Sequence, residues 1–386
     1  MTRDFLSVTP RDRAEHHRAA TPLELFYDLA SVVAIASAAH SLAHAIAAGH
    51  TGEGLVGYAF SFFAIWWAWM NYTWFASAYD NGRAWFRIVT LVIIFGALMM
   101  AAGISALFEN KPIYLIWLGF VVMRLGQVAL WLAAARGDPG HRTTALRYAM
   151  GITLAQVYWT ALFHLLSTGT MIFNAAFVLG MVLELSVPVY AERAIHTPWH
   201  RHHIIERYGL LNIIVLGEGL LAASAALRKS GEALSLADPL LHVAISAAVI
   251  TFAMWWAYFS REEHLETQEF PRAIIWGYGH VFVFASAAAV GAGFTVLTEV
   301  LTHHAEVGLH AGDLAVAIPL AIYLAAIWFV RDRYLAALGM QRYTLLLGAL
   351  TILSASLLLP AGLEIIAALA VAFVSVRSWS SGATRT

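Results

Sequence analysis

The sequence predicts an all-α fold, a polytopic bundle of about twelve membrane-spanning helices. Its composition is the first reason, because apolar residues fill 60% of the 386 positions and charged residues only 12%. Soluble proteins carry about 25% charged residues, and a soluble domain could not cover so much apolar surface with polar groups. The second reason is that apolar stretches of about 17–25 residues, long enough to cross a bilayer, follow one another along the whole chain.

The predicted spans follow in chain order with short polar breaks between them. They cover residues 23–48, 54–78, 85–107, 112–135, 144–167, 170–191, 204–227, 239–260, 273–299, 313–330, 343–359 and 361–377. Only Pro360, Gly362 and Glu364 divide the last two, which leaves open a single longer segment there. Residues 1–20 contain four arginines and lack an apolar core, so they predict a short cytoplasmic tail and not a signal peptide.

The distribution of basic residues predicts the orientation. If the N-terminus is cytoplasmic, nineteen of the 23 Lys and Arg residues lie in inside loops and tails, three lie outside, and Arg124 lies within a span. Cytoplasmic loops of membrane proteins are enriched in Lys and Arg. The pattern therefore predicts that both termini are cytoplasmic.

Two short similarities predict an internal repeat of six plus six helices. The matching segments are residues 24–27 with 206–209 and residues 66–69 with 255–258. Residues 21–192 and 203–379 would then form two six-helix halves. Because six is an even number, both halves enter the membrane from the same side, as in the parallel repeats of several transporters.

Ionisable residues inside the predicted spans are the candidates for function. A charge at the bilayer centre costs about 2.5–3.5 kcal/mol on insertion scales, so such a residue needs a partner or a task. Arg124 lies near the middle of the fourth span and cannot lose its charge, which predicts a carboxylate partner for it. The candidate substrate-binding or ion-binding residues are Glu24, Asp28, Arg124, Glu184, Glu206, Glu218 and His280.

The candidate partners of Arg124 are four carboxylates, Glu24, Asp28, Glu184 and Glu218, against this one arginine inside the spans. Burial favours the neutral form of a carboxylate, so the surplus predicts acids that take up or release a proton or a cation. The alternative is a structural role. Glu24 and Glu206 could cap helix N-termini, where carboxylates are favoured, and Arg124, Glu184 and Glu218 could be an ion-pair network that fixes helix packing.

The remaining signals narrow the chemistry. The aromatic run at residues 66–74 lies near a span end, which favours interfacial anchoring over ligand stacking. The chain has no cysteine, which excludes disulfides and thiolate metal sites. No histidine spacing typical of a catalytic metal site occurs, so we predict no metal, and no cofactor is indicated. The net charge of −1 indicates no nucleic-acid partner.

Four segments carry a resemblance to a known family. They are residues 21–29, residues 66–74 with Asp80, residues 203–218, and residues 278–280. Together they resemble hallmark segments of the bacterial low temperature requirement A family, although residues 30–33 (ASVV) replace a bulkier apolar run of that family. The resemblance implies an integral protein of the bacterial cytoplasmic membrane. It implies no substrate, because the family name records a growth phenotype.

The leading functional hypothesis is a secondary transporter or an ion-translocating protein. Asp28, Arg124, Glu184 and Glu218 would then form one ionisable cluster between the halves, with His280 as a proton relay. A small solute, an ion or a proton would be the partner, besides the lipid bilayer. The second hypothesis is an intramembrane enzyme that uses these groups on a lipid-borne substrate. The third is a structural or sensory membrane protein whose buried charges only specify packing.

Overall fold

The computed structural model of the protein describes residues 7–12, 15, 18–80, 82–231, 235–261, 265, 267, 269–359 and 361–382. Over these residues the fold is all-helical and contains no strand, as the sequence predicts. The helices are α1 (Pro22–Ala47), α2 (Thr51–Tyr79), α3 (Ala84–Phe108), α4 (Tyr114–Gly137), α5 (Arg142–Leu165), α6 (Met171–Ala191), α7 (Arg201–Ser230), α8 (Pro239–Phe259), α9 (Phe270–Leu301), α10 (Leu309–Val330), α11 (Thr344–Leu358) and α12 (Leu363–Gly382).

The helices carry the apolar surface of a membrane protein. Nine helices within the described residues are long and apolar enough to cross a bilayer, namely α1, α3, α4, α6 to α10, and the segment Gly339–Leu358 that contains α11. Large apolar side chains are exposed on them, such as Phe95 and Leu125. Soluble monomers rarely expose so much contiguous apolar surface. The chain is therefore a multi-pass membrane protein.

The chain divides into two compact units. Unit 1 consists of Met1–Ala38 and Gly57–Tyr208, and unit 2 of Ala39–Val56 and Gly209–Thr386. Within unit 1, α3 and α4 touch through Gly96 and Gly119, since a Cβ atom added at Gly119 would lie 2.5 Å from the carbonyl oxygen of Gly96. Small residues of this kind let two helix backbones approach closely inside a membrane.

The start of α1 follows from a capping box. Thr21 Oγ1 accepts a hydrogen bond from the Glu24 backbone N–H (3.3 Å), and Glu24 Oε2 accepts from the Thr21 backbone N–H (2.8 Å) and hydroxyl (2.9 Å). Pro22 occupies the first helical position, which suits its fixed φ. The predicted capping role of Glu24 is therefore real, and it fixes the first turn of α1 within unit 1.

Candidate functional site

Five ionisable side chains meet in unit 1, from the segment before α1, from α1 and from α7. We call them the Glu24–Arg207 cluster; its members are Arg18, Glu24, Asp28, His203 and Arg207. Glu24 and Asp28 are four residues apart, as are His203 and Arg207, so each pair lies on one face of its helix. Arg18 is 5% exposed, and the other four are fully buried.

Arg207 joins the two acids of the cluster. Its Nη2 donates to Asp28 Oδ1 and, at 3.2 Å, to the Glu24 main-chain carbonyl. Its Nη1 lies 3.1 Å from Glu24 Oε1, and His203 Nε2 lies equally close to that oxygen. Arg18 approaches it at 3.7 Å. Burial lowers the pKa of the Arg18 guanidinium, and the charge of Glu24 opposes this. Glu24 therefore caps α1 with one oxygen and attracts three cationic or titratable groups with the other.

Many polar atoms of the cluster have no hydrogen-bond partner among the described residues. They are Glu24 Oε1, Asp28 Oδ2, both ring nitrogens of His203, and the Nε and Nη1 atoms of Arg18 and Arg207. The 3.1 Å approaches to Glu24 Oε1 are thus electrostatic contacts without hydrogen-bond geometry. A buried polar atom without a partner costs about 1–3 kcal/mol. The cluster therefore has spare capacity to bind a proton or a polar solute.

Tryptophans of α2 donate to the buried acids of unit 1. Trp69 Nε1 donates to Asp28 Oδ1 at 2.6 Å, and Trp67 Nε1 donates to Glu184 Oε2 at 2.8 Å. Trp66, Trp67 and Trp69 are at most 2% exposed. The prediction of interfacial anchoring is therefore wrong for these three residues, because they lie in the interior and two of their indoles orient carboxylates.

Arg124 has the carboxylate partner that its position requires. Its Nη2 lies 2.5 Å from Glu184 Oε2, and its guanidinium lies over the Phe120 ring at 4.9 Å. Trp159 Nε1 donates to the other oxygen of Glu184 at 3.0 Å. Both oxygens of Glu184 are therefore hydrogen-bonded, in contrast to the acids of the Glu24–Arg207 cluster, although Arg124 Nε has no hydrogen-bond partner among the described residues.

Within unit 1 the ionisable residues form two neighbouring groups instead of the single cluster expected from the sequence. Asp28 pairs with Arg207, and Arg124 pairs with Glu184. Tyr27, which is 1% exposed, lies within electrostatic range of Arg124 in one group and of Asp28 and Arg207 in the other.

The acids and arginines of the two groups are equal in number. Glu24, Asp28 and Glu184 face Arg18, Arg124 and Arg207, while Asp80, Asp138 and Glu192 are buried elsewhere in unit 1. Arg18 and Arg207 were expected in water because they stand close to predicted span ends. They are buried instead because carboxylates of α1 lie directly beside them.

The other predicted site residues lie outside these two groups. Glu206 is exposed and accepts from the Ala20 backbone N–H at 3.3 Å. Glu218, in unit 2, is half-buried and has no ion-pair partner among the described residues. A Cβ atom added at Gly291 of α9 would lie 3.0 Å from its Cβ. Within the described part of the chain, no three His, Asp or Glu side chains are grouped to hold a metal ion.

His280, the predicted relay, is held at both ring nitrogens. In unit 2 it is fully buried in α9. Its Nδ1 lies 2.7 Å from the Trp276 carbonyl oxygen, and its Nε2 lies 3.1 Å from the Tyr258 hydroxyl. With the Nδ1–H tautomer, Nδ1 donates to the carbonyl and Nε2 accepts from the hydroxyl. His280 is thereby fixed in one orientation.

Unit 2 contains a buried charge cluster that the sequence reasoning missed. We call Arg331, Asp332 and Arg377 the Asp332 cluster. Asp332 Oδ1 accepts from Arg331 Nε (2.8 Å) and from Arg377 Nη2 (3.0 Å), and its Oδ2 accepts from Arg377 Nε (2.7 Å). The other guanidinium nitrogens of these two arginines also donate. Both Nη atoms of Arg331 and Nη1 of Arg377 bind the main-chain carbonyls of Ala257 and Tyr258, at the end of α8. Both arginines stand at predicted span ends, where they were counted as loop charges.

Comparisons with known proteins agree with the resemblance seen in the sequence. The model of the bacterial low temperature requirement A protein (LtrA) matches residues 19–376. An uncharacterized protein of Rhizobium meliloti (strain 1021) is 23% identical over 338 residues, which are 83% of this chain and 79% of that relative. No solved structure matches the chain. The matched range includes Glu24, Asp28, Trp69 and Arg207, and the chain belongs to the bacterial low temperature requirement A family.

Proposed function

We propose that the protein is a secondary transporter coupled to protons, and that the Glu24–Arg207 cluster is its exchange site. One observation carries the proposal. Asp28 and Arg207 form a fully buried ion pair, and polar atoms on both residues have no hydrogen-bond partner among the described residues. A buried ion pair that only held the fold together would be expected to satisfy its polar atoms.

The chemistry follows from the charge balance of the cluster. With His203 neutral, Glu24 and Asp28 balance Arg18 and Arg207. A proton added to Asp28 removes one negative charge and weakens the attraction that holds Arg207. Arg207 then has donors available for an anionic or polar solute, and loss of the proton restores the original pair. Binding of the solute and binding of the proton would thus favour each other, which is the thermodynamic requirement for coupling.

The membrane arrangement that we propose for this function is the one expected from the sequence. All twelve helices would be spans, residues 21–192 and 203–379 would be two parallel six-helix halves, and both termini would face the cytoplasm of a bacterium. The excess of Lys and Arg in the predicted inside loops supports this orientation. The burial of Arg18, Arg207, Arg331 and Arg377 reduces the number of loop charges but leaves the sign of the asymmetry unchanged.

The test is proton flux into liposomes that contain the purified full-length protein. A potassium diffusion potential drives protons inward, and a trapped pH dye reports them, with and without a bacterial cytosolic extract outside the liposomes as the source of the co-transported solute. We expect wild-type flux above that of protein-free liposomes. Asp28→Asn keeps the shape of the side chain but removes the exchangeable proton, so its flux should fall to the protein-free level.

Glu206→Gln is the matched control. It also neutralises an acid, one residue before Arg207 on α7, but Glu206 is exposed and outside the cluster. It should transport like the wild-type protein. Folded Asp28→Asn with wild-type flux would refute the assignment of the site. Wild-type flux equal to that of protein-free liposomes under both conditions would refute the transporter proposal.

A structural role is supported for one part of unit 1 only. Glu184 is fully hydrogen-bonded by Arg124, Trp67 and Trp159, as expected of a pair that fixes packing. We propose that Arg124→Leu alone destabilises the protein and that the added Glu184→Gln substitution restores folding together with wild-type flux. A folded double variant without flux would place the Arg124–Glu184 pair in the transport pathway.

A further inference from the structure

A cleft with a basic rim lies where α4 turns into α5, within unit 1. Its lining residues are Leu132, Ala135, Arg136, Pro139, Arg142 and Leu146. None of them belongs to the Glu24–Arg207 cluster or contacts Glu184. The cleft is therefore separate from the residues on which the proposed function rests.

The two arginines of the cleft are exposed, and their charge is not neutralised by the described residues. Arg136 makes one side-chain hydrogen bond, to the Leu132 carbonyl of its own helix at 3.5 Å. Arg142 makes none to a described residue. The carboxylate of the turn, Asp138, is buried and held by the Tyr79 hydroxyl (3.1 Å) and by His141 Nδ1 (2.7 Å). The cleft thus presents two positive charges at the N-terminal end of α5, where an anion is also favoured by the helix dipole.

An apolar track leads away from this basic rim. Leu146, Met150, Leu154 and Val157 are exposed and follow one another at intervals of four, four and three residues. This spacing places them on one face of α5. A ligand that matches both features carries a negative headgroup and an apolar tail. A free inorganic anion would use only the arginines.

We propose that the cleft binds the phosphate headgroup of an anionic phospholipid, with an acyl chain lying along Leu146, Met150 and Leu154. Basic pockets between transmembrane helices are a known type of site for acidic lipid headgroups. Arg136 and Arg142 contact the phosphate oxygens, and guanidinium groups suit such oxygens because they donate in a planar fork. The proposal is independent of whether the protein transports anything.

The test is native mass spectrometry of the full-length protein in detergent, titrated with phosphatidylglycerol. Arg136→Gln combined with Arg142→Gln should weaken lipid binding by about 30-fold, since each basic residue near an acidic lipid contributes roughly five- to sixfold. Arg136→Lys combined with Arg142→Lys keeps the charge and should retain most of the binding. Arg147→Gln is the matched control, because Arg147 lies one turn further along α5 and stacks on Tyr190 at 4.9 Å.

Four results would overturn the proposal. The first is wild-type affinity in the double Gln variant, and the second is an equal loss in Arg147→Gln, which would indicate only general surface charge. The third is equally tight binding of phosphatidylcholine. The fourth is displacement of the lipid by millimolar inorganic phosphate, which would make the cleft a site for soluble anions. Thermal unfolding of each variant is measured in parallel, so that a misfolded double Gln variant is recognised. If that variant is misfolded, the double Lys variant and the comparison of phosphatidylglycerol with phosphatidylcholine test the proposal.

Discussion

The Glu24–Arg207 cluster of unit 1 and the Asp332 cluster of unit 2 use the same residue types in different ways. Both are buried and both combine arginines with carboxylates. In the Asp332 cluster, both oxygens of the acid accept guanidinium N–H groups, and the arginines also donate to carbonyls of α8. In the Glu24–Arg207 cluster, one oxygen of Glu24 and one of Asp28 have no hydrogen-bond partner among the described residues.

The difference in pairing indicates a difference in task. Arg331 and Arg377 clamp the C-terminal end of α8, where unpaired carbonyls favour cationic groups. Such a set loses stability if any member changes its charge. In the Glu24–Arg207 cluster, Arg207 is shared between two acids, so one acid can be neutralised while the other still holds it. Only the second arrangement therefore suits the proton exchange that we propose.

The largest expected effect is the loss of protein stability when Asp332 is substituted. Asp332→Asn removes the carboxylate that Arg331 and Arg377 share, and loss of one partner from a buried ion pair costs about 3–5 kcal/mol. Asp28→Asn should cost clearly less, about 1–3 kcal/mol, because Arg207 keeps Glu24. Thermal unfolding of both variants in one detergent measures the order, with Glu206→Gln as an exposed control. A greater loss in Asp28→Asn than in Asp332→Asn would reverse our assignment of structural and exchangeable sites.

A smaller effect should separate the two tryptophan donors of α2. Trp69→Phe removes one of the two donors to Asp28 Oδ1 and leaves only Arg207 on that carboxylate, which we expect to cost about 1–3 kcal/mol. Trp67→Phe should cost less, because Glu184 keeps Trp159 and Arg124 as donors. Unfolding of Trp69→Phe, of Asp28→Asn and of the double variant that combines them gives the coupling energy between Trp69 and Asp28. We expect about 0.5–3 kcal/mol for two residues in contact. Unfolding of Trp67→Phe is measured for comparison. Equal costs for both tryptophans would mean that the acids do not depend on these donors.

The helices were predictable because their signal is local. A long apolar run identifies a membrane helix whatever it packs against. Even α11 and α12 are separate helices, as predicted, although the only signals that divide the two predicted spans are a proline, a glycine and a glutamate. The requirement of Arg124 for an acid was also local, since arginine keeps its charge in any environment. The identity of its partner was not local, because Glu184 is sixty residues away along the chain.

The Glu24–Arg207 cluster was only half predictable. Glu24 and Asp28 could be found from their spacing, but Arg18, His203 and Arg207 stand near span ends, where a sequence reading assigns basic residues to water. Their burial depends on contacts within unit 1 between the first turns of α7 and the start of α1, which no single segment encodes. The role of Trp69 was hidden for a related reason. An indole has an apolar body and one N–H donor, so the same residue suits a membrane interface and a buried carboxylate.

The smallest expected effect is the pH dependence of the free energy of unfolding that titration of Asp80 causes. Asp80 lies in unit 1, near its buried charges. Asp80 follows α2, is 4% exposed, and accepts from the Gly82 backbone N–H at 2.9 Å. Burial raises the pKa of this carboxyl above its ordinary value of 3.8, and the Gly82 N–H opposes the shift. The folded protein therefore binds this proton more tightly than the unfolded chain does. The resulting stability is complete below the unfolded pKa and is lost as the pH rises through the raised pKa.

Asp80→Asn keeps the acceptor for Gly82 but cannot titrate, so it isolates this contribution. From about pH 4 to about pH 7, the unfolding temperature of the wild-type protein should fall relative to that of Asp80→Asn, by an amount that corresponds to about 1.4 kcal/mol for each unit of pKa shift. The opposite slope would mean that Asp80 is stabilised as an anion by the nearby Arg18 and Arg11. In that case Asp80 would be a third acid of the Glu24–Arg207 cluster, and the balance between its acids and arginines would no longer hold.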